Sequence, residues 1–557
     1  MPERSGAHIL LEALKAEGVD TVFGIPGGAV IPVLDAFYDD ADLRFILMRH
    51  EQGAGHAADG YARASGKVGV CLATSGPGAT NLVTALATAN FDSVPMVAIT
   101  GQVKTHLIGN DAFQEADITG IARPCTKHTY LVRDVARLGE CLRAAFHIAR
   151  TGRPGPVLVD IPVDVAVAKT AAPLPDRVEL PGYRPVTKGN RRQIKRAAEA
   201  INAAERPLLY VGGGVVISGA WDLLHEVATK GSMPVTTTLM ALGAFPEDHP
   251  LSLKMLGMHG TAYANYAVQE ADLLIAVGAR FDDRITGDLT KFAPKASILH
   301  IDIDPTSISK NIRVDIPVVG DASDILAGLL PLMEPRDRTA WLEQIGAWKA
   351  RHPLAYKGDG LKPQYVVEQI CEASRGQAVV CTEVGQNQMW AAQWYTHTRP
   401  RHFITSGGLG TMGYGFPAAI GAQVARPDAI VVDVAGDGSF QMTIQELAPA
   451  VFEKIPVKVC ILNNGFLGMV RQWQELFYQK RYSATRLLGN PDFVGVAQAY
   501  GAKGVRVTKP EEVRPALEEA FADRNVWVLD FRIDQEENVF PMVPAGEAID
   551  RMIGGMA

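Results

Sequence analysis

Short apolar runs and stretches of helical periodicity alternate along this chain and divide it into three blocks. In the first, helical patterns at 7 to 17, 30 to 38, 51 to 65 and 79 to 90 are interleaved with apolar runs at Thr21 to Gly24, Arg44 to Leu47, Val68 to Ala73, Met96 to Thr100 and Val157 to Ile161. Turns at Pro26-Gly27-Gly28 and Ser75-Gly76-Pro77-Gly78 punctuate it. The alternation returns from about 190 to 335, with strands at Pro207 to Val211, Leu273 to Val277 and Ile298 to Ile303, and again from about 362 to 545. Strands that alternate with helices predict parallel sheets covered on both faces. The pattern therefore predicts an α/β protein of three doubly wound parallel-sheet domains, at 1–165, 190–335 and 362–557. Linkers are expected at 166–189, where Pro173, Pro175, Pro181 and Pro185 crowd together, and at 336–361.

The most informative stretch runs from Val431 to Asn464. An apolar strand (Ile430 to Ala435) breaks at Gly436-Asp437-Gly438, a helix is expected to follow, and a second strand (Val457 to Leu462) ends at Asn463-Asn464. This is one βαβ unit, and it puts Asp437 and Asn464 just past the carboxyl ends of strands, where open parallel sheets bind ligands. Flanking glycines let the backbone approach a ligand closely, and one carboxylate with one amide suits Mg²⁺, which takes few protein oxygens and completes its shell with phosphate. A lone GDG is most simply a turn with a capping Asp; GDG and NN at this separation inside a strand-helix-strand pattern is more specific. Pro449 falls inside the expected helix, where an interior proline costs about 3 kcal/mol. It predicts a kink or a late helix start.

Composition narrows the class. With 557 residues the chain needs several cores, and 54 basic against 61 acidic residues without a basic run argue against nucleic acid. The cysteines (Cys71, Cys125, Cys141, Cys371, Cys381, Cys460) have no CxxC pair and sit mostly in apolar segments, as expected of reduced core residues in a cytoplasmic protein. No apolar run is long enough for a membrane span, and neither a signal peptide nor a transit peptide is expected.

Further motifs join the GDG unit: Arg49 to Arg63 (RHEQGAGHAADGYAR), Ser75 to Asn81, Asp111 to Glu115, Cys125 to His128, Gly278 to Gly287 (GARFDDRITG), Gly407 to Gly415 (GGLGTMGYG) and Gly468 to Gln474 (GMVRQWQ). Over essentially its full length the chain resembles the catalytic subunits of acetohydroxyacid synthase (acetolactate synthase), thiamine-diphosphate enzymes of branched-chain amino acid synthesis. RFDDRITG together with MVRQWQ is the most specific part of the match. The resemblance implies decarboxylation of pyruvate and joining of its two-carbon fragment to a second 2-ketoacid, pyruvate or 2-ketobutyrate. The nearest alternative is a related thiamine enzyme that decarboxylates or oxidises pyruvate, or transfers acetyl, without that joining.

The resemblance also implies residue roles. Glu51 is the cofactor's activator. Gly385, Gln386, Asn387, Gly436, Asp437, Gly438 and Ser439 line the diphosphate, and Asp437, Asn464 and the Phe466 carbonyl hold Mg²⁺. Gly410 offers its carbonyl to the aminopyrimidine, and Met412 wedges under the bent cofactor, holding its two rings in contact. Phe113, Gln114 and Lys127 face the ketoacids, together with Gly28 and Ala29 from a second subunit, and Trp473 selects 2-ketobutyrate. FAD is implied at Arg153, the Leu256 to Gly260 segment with His259 and Gly260, Gly278, Arg280, Asp302 and Asp321. Gly212-Gly213-Gly214 alone is a poor dinucleotide fingerprint because its third spaced glycine is missing. A homodimer or homotetramer with sites at the subunit interface is expected, with a separate regulatory subunit as a possible partner. The chain departs from the family pattern at Asn387, commonly a diphosphate-contacting His, which leaves that hydrogen bond open although an amide can still donate, and at Lys104 and Asn110.

Overall fold

The computed structural model describes residues 2–554 and contains three six-stranded sheets, all of whose pairings are parallel. The first runs Arg44–Leu47, Thr21–Gly24, Gly69–Ala73, Met96–Gln102, Pro156–Pro162, His128–Leu131. The third runs Phe403–Ile404, Val379–Thr382, Val431–Gly436, Lys458–Asn463, Trp527–Arg532, Lys503–Val507. Numbered within each sheet, both have the order 2-1-3-4-6-5, so these two domains share one topology. The middle sheet (Ser252–Met255, Val235–Thr237, Pro207–Val211, Leu273–Val277, Ser297–Asp302, Ile316–Val319) has the order 3-2-1-4-5-6. That is the dinucleotide-binding order, whose crevice opens where the winding reverses, between its first and fourth strands.

The first and third domains share a core. Helix Glu51–Ser65 starts behind His50, whose side chain accepts the Gln52 N–H, and ends at Gly66 in the left-handed region (φ 79°). Its alanines and glycines face helix Gly415–Ala425, equally rich in small residues. A Cβ on Gly60 would overlap Ala418 O, and one on Gly421 would overlap Ala57 O and lie 2.8 Å from Tyr61 N. Side chains this small let two helix backbones touch, so the glycines set the spacing of the two domains.

The expected elements fall within a residue or two of the observed ones, with three differences. The pattern at 79 to 90 is two helices, Pro77–Thr80 and Val83–Phe91. The helix after GDG is three pieces: Asp437–Phe440, a 3₁₀ turn Ile444–Glu446, and Leu447–Phe452. Pro449 is the third residue of that last helix, where its missing N–H costs no intrahelical bond, so the late start applies and not the kink. The segment expected as a second linker carries helix Thr339–Arg351, whose Trp341 is buried and donates to Pro207 O (3.1 Å), tying the connection to the middle sheet. The proline-rich stretch 171–189 has no regular element. Among the described residues no helix is long and apolar enough to cross a membrane.

Candidate active site

A cavity of about 670 Å³ lies between the middle and third domains, at the carboxyl ends of strands from both sheets, and Phe91, Asp92 and Ser93 of the first domain also line it. On the third-domain side, Gly436 pairs with Leu462 across adjacent parallel strands, which carries Asp437 and Asn464 to one rim. Asp437 is 1% exposed; its Oδ2 accepts the Gly465 N–H (3.1 Å) and the Asn490 amide (2.6 Å), and burial pushes its pKa up to about 6. Both of these bonds fall on Oδ2. Asn464 Oδ1 accepts the Phe466 N–H (3.1 Å), and its amide donates to Gln386 Oε1 (3.2 Å). Gln386 in turn donates to Gln472 Oε1 (2.9 Å), which is locked to Val539 by two further bonds. This wall of amides is pre-formed, because each side chain is oriented by the next.

Glycines keep the floor open. Gly385 (φ 149°) starts helix Gln386–Trp394, and a Cβ on Gly438 would lie 2.7 Å from Leu467 Cδ2. Met412 reaches over this turn, its Cε 3.9 Å from where that Cβ would stand. Gly410 takes φ 72° in the same loop. Ser439 donates to Val384 O (3.1 Å). The Asn387 amide donates to the Glu383 and Val434 carbonyls (3.0 and 2.8 Å). Because both partners are acceptors the nitrogen must face them, so Asn387 turns its carbonyl oxygen, not a donor, toward Gly385 and Gly436. Phe466 and Trp473 also line the cavity; Trp473 has the Arg284 guanidinium 5.7 Å from its ring centroid, and its buried indole N–H has no partner among the described residues.

The middle domain contributes Gly212, Gly213 and Gly214 with Gly278, at the point where winding reverses. A Cβ on Gly278 (φ 60°) would lie 2.6 Å from Gly214 Cα, so the two turns touch only because both are glycine. Arg280 and His259 line the same space; burial pushes the His259 pKa down to about 4, so it is neutral at pH 7. A Cβ on Gly260 would overlap Leu256 backbone. Arg153 donates to Ser93 (2.8 Å) and reaches Asp304 (3.4 Å). Asp302 accepts the Asp304 N–H (2.8 Å), whereas Asp321 caps helix Ala322–Leu329 and accepts Ser218 Oγ (2.6 Å). Neither aspartate is among the cavity's lining residues.

Glu51 belongs to a second cluster, away from that cavity. It is the first residue of its helix, 9% exposed, and its Oε2 accepts the Asn81 amide (2.9 Å). Thr74 binds this cluster together: it accepts the Ala29 N–H (3.4 Å), next to Gly28, and its Cγ2 lies 2.8 Å from where a Gly78 Cβ would be. Gln114 (φ 57°) closes over Gly76, and Phe113 beside it is 88% exposed. From the third domain, the buried carboxylate of Glu446 accepts the Arg49 N–H (3.0 Å) just before the helix; burial pushes the Glu446 pKa up to about 7. Lys127 does not join the cluster. Its ammonium donates to Ile148 O, Thr151 O and Tyr183 OH (2.5, 2.7 and 3.1 Å), closing the end of helix Leu138–Arg150. Sequence reasoning missed Glu446, Gln472 and Asn490, since no local motif marks a residue whose role comes from a neighbour far away in the chain.

Comparison with known families fits this geometry. Residues 4–121, 194–329 and 383–531 match the N-terminal thiamine pyrophosphate-binding, central and C-terminal thiamine pyrophosphate-binding domains of thiamine pyrophosphate enzymes. Fold and site thus define a thiamine-dependent enzyme. Relatives narrow the class: the acetolactate synthase large subunit of Corynebacterium glutamicum is 52% identical over 98% of this chain and 90% of its own length. That of Haemophilus influenzae is 48% identical (99% and 98%), and the mitochondrial acetolactate synthase catalytic subunit of Saccharomyces cerevisiae 49% (99% and 83%). The chain belongs to the acetolactate synthase family.

Proposed function

We propose that this chain is the catalytic subunit of an acetohydroxyacid synthase, making 2-acetolactate from two pyruvates and 2-aceto-2-hydroxybutyrate from pyruvate and 2-ketobutyrate. The observation that carries the reading is the convergence of Asp437, Asn464, the Gly385 turn and Trp473 on one cavity. Bound thiamine diphosphate would supply a nucleophilic carbon toward a ketoacid carbonyl and an electron sink for the pair left behind when CO₂ departs.

The residues fit the cofactor and its metal. Oxygen donors alone (Asp437 Oδ1, Asn464 Oδ1 and the Phe466 carbonyl) suit Mg²⁺, and among the described residues no cluster of three His, Cys, Asp or Glu side chains offers a softer site. Ser439, Gly436 and Gly438 leave room for the diphosphate beside them, with Gly385 and Gln386 opposite. Gly410 and Met412 orient the pyrimidine, and Trp473 fills the space where the second ketoacid's side chain must fit. Glu51 Oε1, left over by the Asn81 bond, holds the proton at the cofactor's pyrimidine nitrogen. FAD fits the middle sheet's winding order, the touching turns at Gly214 and Gly278, and the cations Arg280 and Arg153. Arg153, Asp302 and Asp321, none of them lining the cavity, would serve it only beyond the cavity wall.

Within one chain Glu51 is not among the residues lining the Asp437 cavity, while both must engage one cofactor. This supports a homodimer in which Glu51, Gly28, Phe113 and Gln114 of one copy complete the Asp437 half-site of the other. The relatives' designation as a large subunit supports a separate small regulatory partner. Product analysis with pyruvate and 2-ketobutyrate together, with and without added FAD, tests the proposal. Both acetohydroxyacids should form, and Glu51→Gln should slow their formation by orders of magnitude with the fold intact. Pyruvate consumption without either product, or no Mg²⁺-dependent thiamine diphosphate binding, would overturn it.

A further inference from the structure

The loop that carries Gly410 and Met412 has no helix or strand between Thr405 and Tyr414 and contains glycines at 407, 408, 410 and 413, so its own backbone does little to hold it. The first domain grips it instead. Asp92, at the end of helix Val83–Phe91, has a side chain with 0% exposure. Its Oδ1 accepts the Gly408 N–H (2.7 Å) and its Oδ2 the Gly407 N–H (3.1 Å), two consecutive donors on one carboxylate. Oδ2 also accepts Arg63 Nη2 (2.9 Å), and Arg63 Nη1 donates to Thr405 O (3.0 Å). Asp59 holds the same guanidinium (2.6 Å) and accepts the Tyr414 hydroxyl (2.5 Å) at the loop's far end. Thr88 shares a hydrogen bond with Thr411 (2.8 Å).

We propose that Asp92 is a positioning residue, which sets the loop from Thr405 to Met412 so that Gly410 and Met412 meet the pyrimidine of thiamine diphosphate at the right place. The inference rests on the cofactor roles proposed above for those two residues. A carboxylate with no exposure is costly unless its bonds are all made, and here they go to the loop backbone and to the arginine that holds the loop's start. The neighbouring helices Glu51–Ser65 and Gly415–Ala425 meet through glycine and alanine, so their own contact does not use Asp92, whose backbone bonds go to the loop. The grip lies two residues from Gly410, too short a span for the backbone to absorb a shift.

The test compares the wild type with Asp92→Ala and Asp92→Asn by hydrogen–deuterium exchange of the apo protein and by titration with thiamine diphosphate in excess Mg²⁺. Exchange across 405–414 should rise about tenfold in Asp92→Asn, whose single amide oxygen still accepts one glycine N–H, and further in Asp92→Ala. Cofactor affinity should fall in the same order, with exchange across 431–440, the Asp437 turn, as in the wild type. Wild-type exchange in the loop, or an equal rise across both segments, would overturn the proposal by making Asp92 irrelevant or merely stabilising. Should Asp92→Ala not fold, Asp92→Asn alone decides by the same two segments. If the wild type itself binds no thiamine diphosphate, the functional reading fails and with it the cofactor role of the loop, while faster exchange confined to 405–414 would still establish the grip.

Discussion

Replacing Asp437 by asparagine should stabilise the apo protein at neutral pH while removing its metal-dependent cofactor binding. Burial raises the Asp437 pKa from the ordinary 3.8 to about 6, and each unit is worth about 1.36 kcal/mol, so the buried carboxylate costs about 3 kcal/mol of folding stability at pH 7.5. The sign follows from the direction of the shift. The folded state binds the proton more tightly than the unfolded state, so the cost is fully present above pH 6, shrinks to about 1.6 kcal/mol at pH 5, and vanishes below the unfolded value. Asparagine has no such cost, and its amide oxygen in the place of Oδ2 still accepts from both Gly465 and Asn490, since the two bonds share one oxygen. With both bonds kept, the variant gains about 3 kcal/mol at pH 7.5 and about 1.6 kcal/mol at pH 5. Denaturant unfolding of both proteins in EDTA at the two pH values measures this, and titration with thiamine diphosphate and Mg²⁺ measures the loss of binding. A destabilised variant at pH 7.5, a difference independent of pH, or wild-type cofactor affinity would each refute the reasoning.

Other substitutions probe the frame around the two half-sites. Trp473→Leu should lower the share of 2-aceto-2-hydroxybutyrate in mixed-substrate assays while pyruvate coupling continues; an unchanged ratio would remove Trp473 as selector. Gly421→Ala forces a methyl into Ala57 O and to within 2.8 Å of Tyr61 N, and since both are backbone the helices must part, at about 3 kcal/mol; thermal unfolding should show it. Gly53→Ala would overlap Glu446 Oε1 and displace the carboxylate that holds the Arg49 N–H, so it should lower kcat through Glu51 more than it lowers the melting temperature.

Much of this was legible locally. Strand Val431–Gly436 lies within one residue of its expected place because an apolar run between a charged turn and GDG reports burial by itself. Asp437 and Asn464 were identified because two strand ends in one βαβ unit must be neighbours. Pro449 foretold a late helix start, though not the 3₁₀ turn before it. Where the Asn387 donor goes was not legible, because which end of an amide faces a ligand depends on the carbonyls of Glu383 and Val434, and Val434 is 47 residues away. Lys127 was expected beside the ketoacids, but the carbonyls at the end of helix Leu138–Arg150 claim its ammonium.

What the sequence determined by itself was the set of elements and the chemistry at their ends, since periodicity and turn residues act over a few positions. Only the tertiary structure decided that the outer sheets share one winding and the middle sheet another. It alone put Glu51 outside the cavity that Asp437 lines and placed Asp92 and Glu446 across a domain joint. Those facts depend on contacts between residues tens or hundreds of positions apart, which no local pattern encodes.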